Sequence, residues 1–307
     1  MCRNDEIHRK VSVSIRRVGK SGSASTKSTA QTRAQHLGHE DHSRSTEVKL
    51  LRHSLTNNSV SKHSSQSTMA SPKLIVHHLQ VGQGERILWL LEELGIPYEL
   101  KLYERSPLLS PPDLQAVYPM GASPVLEDFT DPNNPVVLAE SGAICEYIIH
   151  KYADGRLALP PSHKNFADYL YWFHFSNATL MSNIFRRGMA RGMVGENDPR
   201  YQGNASRVAK ALNHVNNRLK TTGAWFAGDE FTAADVMLGF CFTTMRQFEP
   251  IDLTEYEEIL AWNQRIGGRE AYKRAMKKGD PNLDIEAGLS AKGPPMHEAF
   301  AKAVGRK

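Results

Sequence analysis

The sequence predicts an α/β domain followed by an all-helical domain. The chain has 307 residues, and at roughly one domain per 150 residues this length provides two hydrophobic cores. Short β-branched runs alternate with helical patterns over residues 73–153, whereas strand patterns are absent after residue 163. Because strands and helices are segregated in this way, we expect two domains of different class.

The first predicted unit is a strand, a helix and a second strand. Residues 73–79 are short and β-branched, as in a buried strand, and a glycine-bearing turn follows them. Residues 85–94 place apolar side chains at helical spacing, and Gly95 with Pro97 ends this helix. Residues 98–103 have the pattern of a second strand, so the two strands should be parallel with a right-handed crossover.

A β-hairpin and a helix complete the first domain. After a Pro-rich loop at residues 107–112, the short apolar runs 124–128 and 136–139 flank a turn-forming cluster of Asp, Pro and Asn. Residues 140–152 then carry apolar side chains on one face of a helix. The order β-α-β followed by β-β-α is that of a thioredoxin-like domain, which we place at residues 73–153.

The second domain is predicted to be all-helical over residues 163–281, joined by a Gly- and Pro-containing linker at 154–162. Helical patterns cover residues 165–193, 200–221, 233–248 and 256–276. Thr232 and Asp235 form a capping box at the start of one helix, which indicates a folding element worth about 1 to 2 kcal/mol. Residues 282–307 are expected to form a flexible tail.

Residues 1–70 are rich in Ser, Thr, Lys, Arg and His and show no sustained apolar period, which predicts a disordered basic tail. Its Arg and Ser content suggests mitochondrial targeting, but Asp5 and Glu6 argue against a transit peptide. Met69 stands directly before the first strand and is an alternative start of the working protein. The tail also holds three spaced histidines, at positions 36, 39 and 42, but polar tails commonly contain scattered histidines, so we predict no metal site.

Composition excludes several classes of function. The formal net charge of +5 arises mainly in the tail, so we expect no nucleic-acid binding by the folded part. Apolar runs fall short of the roughly 20 residues that a membrane span needs. The three cysteines are too few and too scattered for a disulfide framework or a metal ligand set, which indicates a reducing, intracellular compartment. Cys145 and Cys241, together with His77, His78 and His174, are expected to be packed in the structure rather than catalytic.

Several short segments resemble landmarks of the glutathione S-transferase family. In the first domain they are HHL at residues 77–79, RILWLLEEL at 86–94, GASPVL at 121–126 and AESG at 139–142. In the second domain, FTAAD at residues 231–235 resembles the helix-capping signature of the family, and AYKRA at 271–275 resembles its final helix. The resemblance covers residues 73–281 and has the character of fungal and bacterial members.

This resemblance implies a cytoplasmic detoxification enzyme that joins the glutathione thiolate to a small apolar electrophile. Glutathione would be the co-substrate, with no tightly bound cofactor, and the protein would be a homodimer. Two alternatives on the same fold remain open: a non-catalytic glutathione-binding or carrier protein, and a glutathione-dependent peroxidase.

The resemblance also assigns the glutathione site. Ser141 would receive the γ-glutamyl carboxylate at a helix N-terminus, where free N–H groups and the helix dipole favour anions, while Glu140 faces the ammonium group. The alternative is that Ser141 only caps its helix. A cis bond before Pro124 is implied as well, so that the backbone of Ser123 pairs with the cysteinyl part of glutathione; an ordinary trans proline is the alternative.

The sequence departs from the family pattern at the turn after the first strand. The customary Ser-Arg pair there is replaced by Gly82 and Gln83, so no side-chain hydroxyl is available to the glutathione sulfur. We expect backbone N–H groups of residues 82–84, the helix dipole or the Gln83 amide to stabilise the thiolate instead. The alternative role for Gly82 and Gly84 is structural, as residues that supply positive φ.

The electrophile pocket is predicted on the first long helix of the second domain. Tyr171, Phe175 and Phe185 would supply apolar area, and Arg186 or Arg187 an anion contact. Aromatic residues at helical spacing are more often core than pocket, which is the alternative for each of the three.

Overall fold

The computed structural model describes residues 71–106 and 108–303. The predicted tail at residues 1–70, with its histidine triplet, lies outside the described residues. Four strands and eleven α-helices follow one another over the described ranges. They are β1 Leu74–Leu79, α1 Glu85–Leu94, β2 Glu99–Tyr103, α2 Pro112–Val117, β3 Val125–Asp128, β4 Val136–Ala139, α3 Ser141–Tyr152, α4 Phe166–Phe175, α5 Ser182–Val194, α6 Pro199–Thr222, α7 Ala233–Phe242, α8 Glu257–Gly267, α9 Glu270–Gly279, α10 Ile285–Leu289 and α11 Glu298–Ala303.

The first domain contains one mixed sheet with the strand order β2-β1-β3-β4. Strands β1 and β2 are parallel, with His77 opposite Lys101, and β3 runs antiparallel to both β1 and β4. The predicted β-α-β unit and the predicted hairpin are therefore both present. The fold class, a thioredoxin-like domain followed by a helical domain, is confirmed.

Helix α1 lies between the sheet and the second domain. Its Trp89 side chain is 2% exposed and contacts Tyr272 of α9 at a ring-centroid distance of 4.9 Å. A Cβ atom at Gly239 of α7 would lie 2.7 Å from the Trp89 ring, so only glycine permits this contact. Two glutamates at the end of α1 add ion pairs to α9: Glu92 with Arg274 and Lys278, and Glu93 with Arg269. The two domains consequently share one continuous apolar core.

The helical domain differs from the predicted boundaries in three places. The first predicted helix is α4 and α5 joined through a π-helical turn at Ser176–Met181. The stretch predicted to reach residue 248 ends as α7 and continues as the 3-10 helix Thr244–Gln247. The last predicted helix is divided into α8 and α9 near Gly268. Helix α2, which follows the Pro-rich loop, was not predicted, although Pro112 suits the first helical position.

Within the tail predicted at residues 282–307, the structure places the two short helices α10 and α11. The reason is Arg246, whose buried guanidinium needs several acceptors because it carries five N–H donors. It donates to the carbonyl oxygens of Gly288, Ser290 and Ala291 at 3.2, 2.7 and 2.6 Å. The sequence expectation considered the segment without this partner.

Candidate functional site

The turn between β3 and the preceding loop has the backbone geometry that the resemblance implies. The Ser123–Pro124 bond is cis. The Ser123 hydroxyl accepts a hydrogen bond from the Leu79 N–H at 2.9 Å, which ties this turn to the end of β1. The ladder between β1 and β3 begins at Val125, so it does not use the backbone groups of Ser123. These groups can pair with an extended peptide.

The N-terminus of α3 faces the same region. Glu140 is the N-cap residue, adopts a φ of +71°, and makes no side-chain capping hydrogen bond. Ser141 is the first helical residue and is 2% exposed, and its hydroxyl contacts Arg86 and Asn177 at 3.2 and 3.3 Å. The structure therefore does not support the alternative that Ser141 caps its helix. The first N–H groups of α3 lack intrahelical acceptors and can bind an anion.

Arg86 is a buried cation beneath this helix end. Its Nη1 donates to Gln83 Oε1 at 2.9 Å and to Asn177 Oδ1 at 2.7 Å, and its side chain has no exposed surface. Arg86 is absent from the ion pairs of the described residues, and the carboxyl group coupled to it electrostatically is that of the adjacent Glu85. Burial raises the pKa of the neighbouring Glu85 to about 8, so that carboxyl group is mostly uncharged at neutral pH. A buried charge without a counter-ion is costly, and an anion bound at Ser141 or Gln83 would lower this cost.

The glycines of the turn after β1 are not the residues that adopt positive φ there. Positive φ occurs at Val81, at +52°, and not at Gly82 or Gly84. A Cβ atom at Gly82 would lie 2.6 Å from the Leu79 carbonyl oxygen, and one at Gly84 would lie 2.3 Å from His78 Nδ1. The alternative that these glycines supply positive φ is therefore wrong, because close approach to neighbouring atoms requires them instead.

We expect Gly82→Ser to lower the free energy of unfolding by about 1 to 3 kcal/mol, because its Cβ atom would overlap a backbone oxygen that cannot move freely. Denaturant titration measures this change. Gly203→Ser is the matched control, since nothing lies within 4 Å of a Cβ atom there. Equal stability of Gly82→Ser and the wild type would show that the turn accommodates the missing hydroxyl.

The helical domain contains an apolar groove of about 280 Å³. It is lined chiefly by side chains of α5, the residues after the 3-10 helix and α11: Phe185, Met189, Met193, Phe248, Met296 and Phe300. Phe248 and Phe300 also contact the Arg105 guanidinium, at 5.0 and 5.8 Å from their ring centroids. Arg105 in turn donates to the Val81 carbonyl oxygen at 2.7 Å, which connects the groove to the turn.

The structure does not bring the three predicted pocket residues together. Phe185 is 63% exposed and lines the groove. Tyr171 and Phe175 instead stack on each other beside His214 of α6, and the Tyr171 hydroxyl lies 2.9 Å from His214 Nε2. Arg187 is paired with Glu249 at 2.5 Å rather than free for a ligand.

The two predicted catalytic residues, Gly82 and Gln83, lie at the candidate site. Three further residues lie there as well: Arg86, Arg105 and Asn177. Gln83 Oε1 is held by Arg86, which leaves its Nε2 as the donor end of the amide. Sequence reasoning missed the roles of Arg86 and Asn177. Arg86 could have been found because it begins the segment RILWLLEEL, which resembles a landmark of the family. Nothing in the sequence distinguishes Asn177. Arg105 also had no sequence signal.

No group of side chains that could hold a metal ion occurs in residues 71–106 and 108–303. Over the same ranges, none of the helices is both long enough and apolar enough to pass through a bilayer.

Comparisons with known proteins agree with this architecture. Residues 83–151 match the family model described as glutathione S-transferase, N-terminal domain, and residues 178–270 match glutathione S-transferase, C-terminal domain. The chain is 31% identical to glutathione S-transferase 3 of Schizosaccharomyces pombe over 228 residues, which cover 68% of this chain and 89% of that protein. It is 26% identical to the disulfide-bond oxidoreductase YfcG of Escherichia coli, over 66% of this chain and 94% of that protein. A solved glutathione S-transferase structure from Actinobacillus pleuropneumoniae is 28% identical with a TM-score of 0.63, covering 74% of this chain and 98% of that one.

Proposed function

Because the chain belongs to the glutathione S-transferase family, we propose that it binds glutathione and transfers the glutathione thiolate to a small apolar electrophile. The observation that carries this proposal is the fully buried Arg86, which forms no ion pair among the described residues and donates to Ser141 and Gln83. Glutathione would bring two anionic groups to this region, the γ-glutamyl carboxylate and the thiolate. Their negative charge would compensate the positive charge of Arg86.

Four residues bind the peptide in this proposal. The γ-glutamyl carboxylate accepts hydrogen bonds from the first N–H groups of α3 at Ser141, and the exposed Glu140 carboxylate faces the ammonium group. The backbone N–H and C=O of Ser123, directed by the cis bond to Pro124, pair with the cysteinyl residue. The sulfur then lies near the turn that contains Gly82 and Gln83.

The chemical step is a nucleophilic attack by this sulfur. The thiol proton passes to solvent, a carbon–sulfur bond forms, and the leaving group of the electrophile departs with its electron pair. The protein contributes by stabilising the thiolate with the backbone N–H groups at Gly82 and Gln83, the Gln83 Nε2 and the N-terminus of α1. The apolar groove, which Arg105 connects to Val81, holds the electrophile and excludes water from it.

Calorimetric titration with glutathione, and with an analogue whose sulfhydryl is replaced by a methyl group, tests this proposal. We expect both peptides to bind, and an ultraviolet thiolate band at neutral pH with glutathione alone. Absence of heat with either peptide on folded protein would overturn the proposal. Binding without a thiolate band would favour the carrier alternative.

A second candidate is a redox reaction, which the similarity to a disulfide-bond oxidoreductase favours. In that case two glutathione thiols would be oxidised to one disulfide while a hydroperoxide was reduced to an alcohol and water. The turn offers no cysteine of its own, so both sulfurs would come from glutathione. Turnover with hydroperoxides but not with carbon electrophiles would select this candidate.

Replacing Gln83 with alanine should raise the pKa of the bound thiol and lower kcat roughly 10- to 100-fold, because a positioned donor is lost while backbone donors remain. Steady-state kinetics and the pH dependence of the thiolate band measure both effects. Gln115→Ala, which removes an exposed amide bonded to the Ser110 carbonyl oxygen, is the matched control. An unchanged kcat in Gln83→Ala would exclude this role for the amide.

The expectations of a homodimer, a cytoplasmic location and a detoxification role are part of the same proposal and rest on family membership. Analytical ultracentrifugation tests the first of them.

A further inference from the structure

The backbone of Val81 is held in a conformation that its side chain disfavours. Its φ of +52° lies in the left-handed region, which a β-branched residue rarely adopts. Strained residues persist only where surrounding contacts fix them, and such residues occur preferentially at functional sites. Val81 directly precedes Gly82, so its conformation sets the direction of the N–H groups that follow.

We infer that Asp280 and Arg105 are positioning residues that hold Val81 in this conformation and thereby aim the N–H groups of Gly82 and Gln83 at the glutathione sulfur. The inference rests on the proposed function for its catalytic consequence. The clamp itself, defined as the contacts of Asp280 and Arg105 with the two peptide groups of Val81, is a property of the protein alone.

Asp280 forms the first arm of the clamp. It follows α9, and its Oδ1 accepts a hydrogen bond from the Val81 N–H at 2.6 Å. Its Oδ2 lies 2.9 Å from His78 Nε2, and both side chains are buried. His78 Nδ1 is buried without a hydrogen-bond partner, against Gly84. A carboxylate oxygen only accepts, so His78 Nε2 is the donor of this hydrogen bond and helps to orient the Asp280 carboxylate.

Arg105 forms the second arm. Its Nη2 donates to the Val81 carbonyl oxygen at 2.7 Å and its Nη1 to the Leu108 carbonyl oxygen at 2.8 Å. The guanidinium lies against the rings of Phe248 and Phe300, which also line the apolar groove. Both backbone polar groups of Val81 are thus bound to side chains remote in sequence, one on each side of the strained residue.

The variant Asp280→Ala distinguishes a positioning role of Asp280 from a purely electrostatic one. The two roles predict opposite changes in the pKa of the bound glutathione thiol. Removing a nearby negative charge would by itself favour the thiolate and lower the pKa of the bound thiol. Loss of the clamp should instead raise that pKa by about one unit, equivalent to about tenfold in the equilibrium constant for ionisation. We expect kcat at neutral pH to fall about tenfold with KM for glutathione changed less than about twofold, since Ser123 and Ser141 are untouched.

Val81→Gly provides the rescue. Glycine adopts positive φ without a Cβ penalty, so the turn needs the clamp less when residue 81 is glycine. We expect Asp280→Ala to lower kcat less in the Val81→Gly background than in the wild type. Asp284→Ala is the matched control: it removes the cap of α10 in the same segment, where Asp284 Oδ1 accepts from the Ala287 N–H at 2.9 Å, without touching Val81. This control should lower stability and leave the thiol pKa unchanged.

Amide hydrogen exchange and chemical shifts give a readout that does not depend on catalysis. In Asp280→Ala, the Val81 amide should exchange faster and the resonances of Gly82 and Gln83 should shift. Unchanged resonances of Gly82 and Gln83, or a lowered thiol pKa, would overturn the inference. If the wild type binds no glutathione, the proposed function fails, and the exchange data still decide whether the clamp exists.

Discussion

Asp235→Ala should lower the free energy of unfolding by about 3 to 5 kcal/mol, because it leaves several buried donors without acceptors, each costing about 1 to 3 kcal/mol. The Asp235 side chain has no exposed surface. It accepts hydrogen bonds from the N–H groups of Phe226 and Thr232 and from Trp262 Nε1, at 3.2, 3.0 and 3.0 Å. The capping box predicted from the sequence is present, but Asp235 also connects three separate segments. Urea titration measures the loss.

Two further variants make this expectation specific. Thr232→Ala removes only the cap and should cost about 1 kcal/mol. Asp235→Asn replaces the ionisable carboxyl group with an amide that does not titrate. Burial raises the pKa of Asp235 from 3.8 to about 6, so the charged form is disfavoured in the folded state. The stability of the wild type relative to Asp235→Asn should therefore fall as the pH rises from about 4 to about 6 and change little above that. If Asp235→Ala lowered the free energy of unfolding no more than Thr232→Ala does, Asp235 would contribute only to the helix cap.

Arg86→Met should weaken glutathione binding about 10- to 100-fold, since hydrogen bonds and fields from a charged group contribute about 1.5 to 3 kcal/mol. In the ligand-free protein the same change removes a buried charge that has no counter-ion, but it also leaves the side-chain oxygens of Gln83 and Asn177 without their donor, and these two effects on stability oppose each other. We therefore expect the melting temperature without ligand to change little, while the increase in melting temperature on adding glutathione is mostly lost. Calorimetry and thermal denaturation with and without glutathione measure the two effects.

Arg156→Met is the matched control for this substitution. Arg156 donates to the Leu94 carbonyl oxygen at 2.8 Å, away from the candidate site. This variant should bind glutathione like the wild type. Equal glutathione affinity of Arg86→Met and Arg156→Met would remove the electrostatic basis of the proposed site.

The strands, the helix after the hairpin and the cis bond could be predicted from the sequence because each depends on short segments with strong local patterns or on a recognisable landmark. The strain at Val81 could not be predicted, because it depends on contacts with Arg105 and Asp280, which are 24 and 199 positions away in the sequence. The residues predicted to line the electrophile pocket do not lie together, for a different reason. Tyr171 and Phe175 precede the π-helical turn and Phe185 follows it, so a uniform helical period does not place them on a common face.

The burial of Trp89 against Gly239 and Tyr272 bears on how the protein can be divided. A fragment that ended after α3 would expose the apolar side of α1 to water, and a fragment that began at α4 would retain an unfilled cleft between α7 and α9. We therefore expect the two sequence-defined domains to unfold as a single cooperative unit, so that neither half could be transferred by recombination to another protein as an independent module.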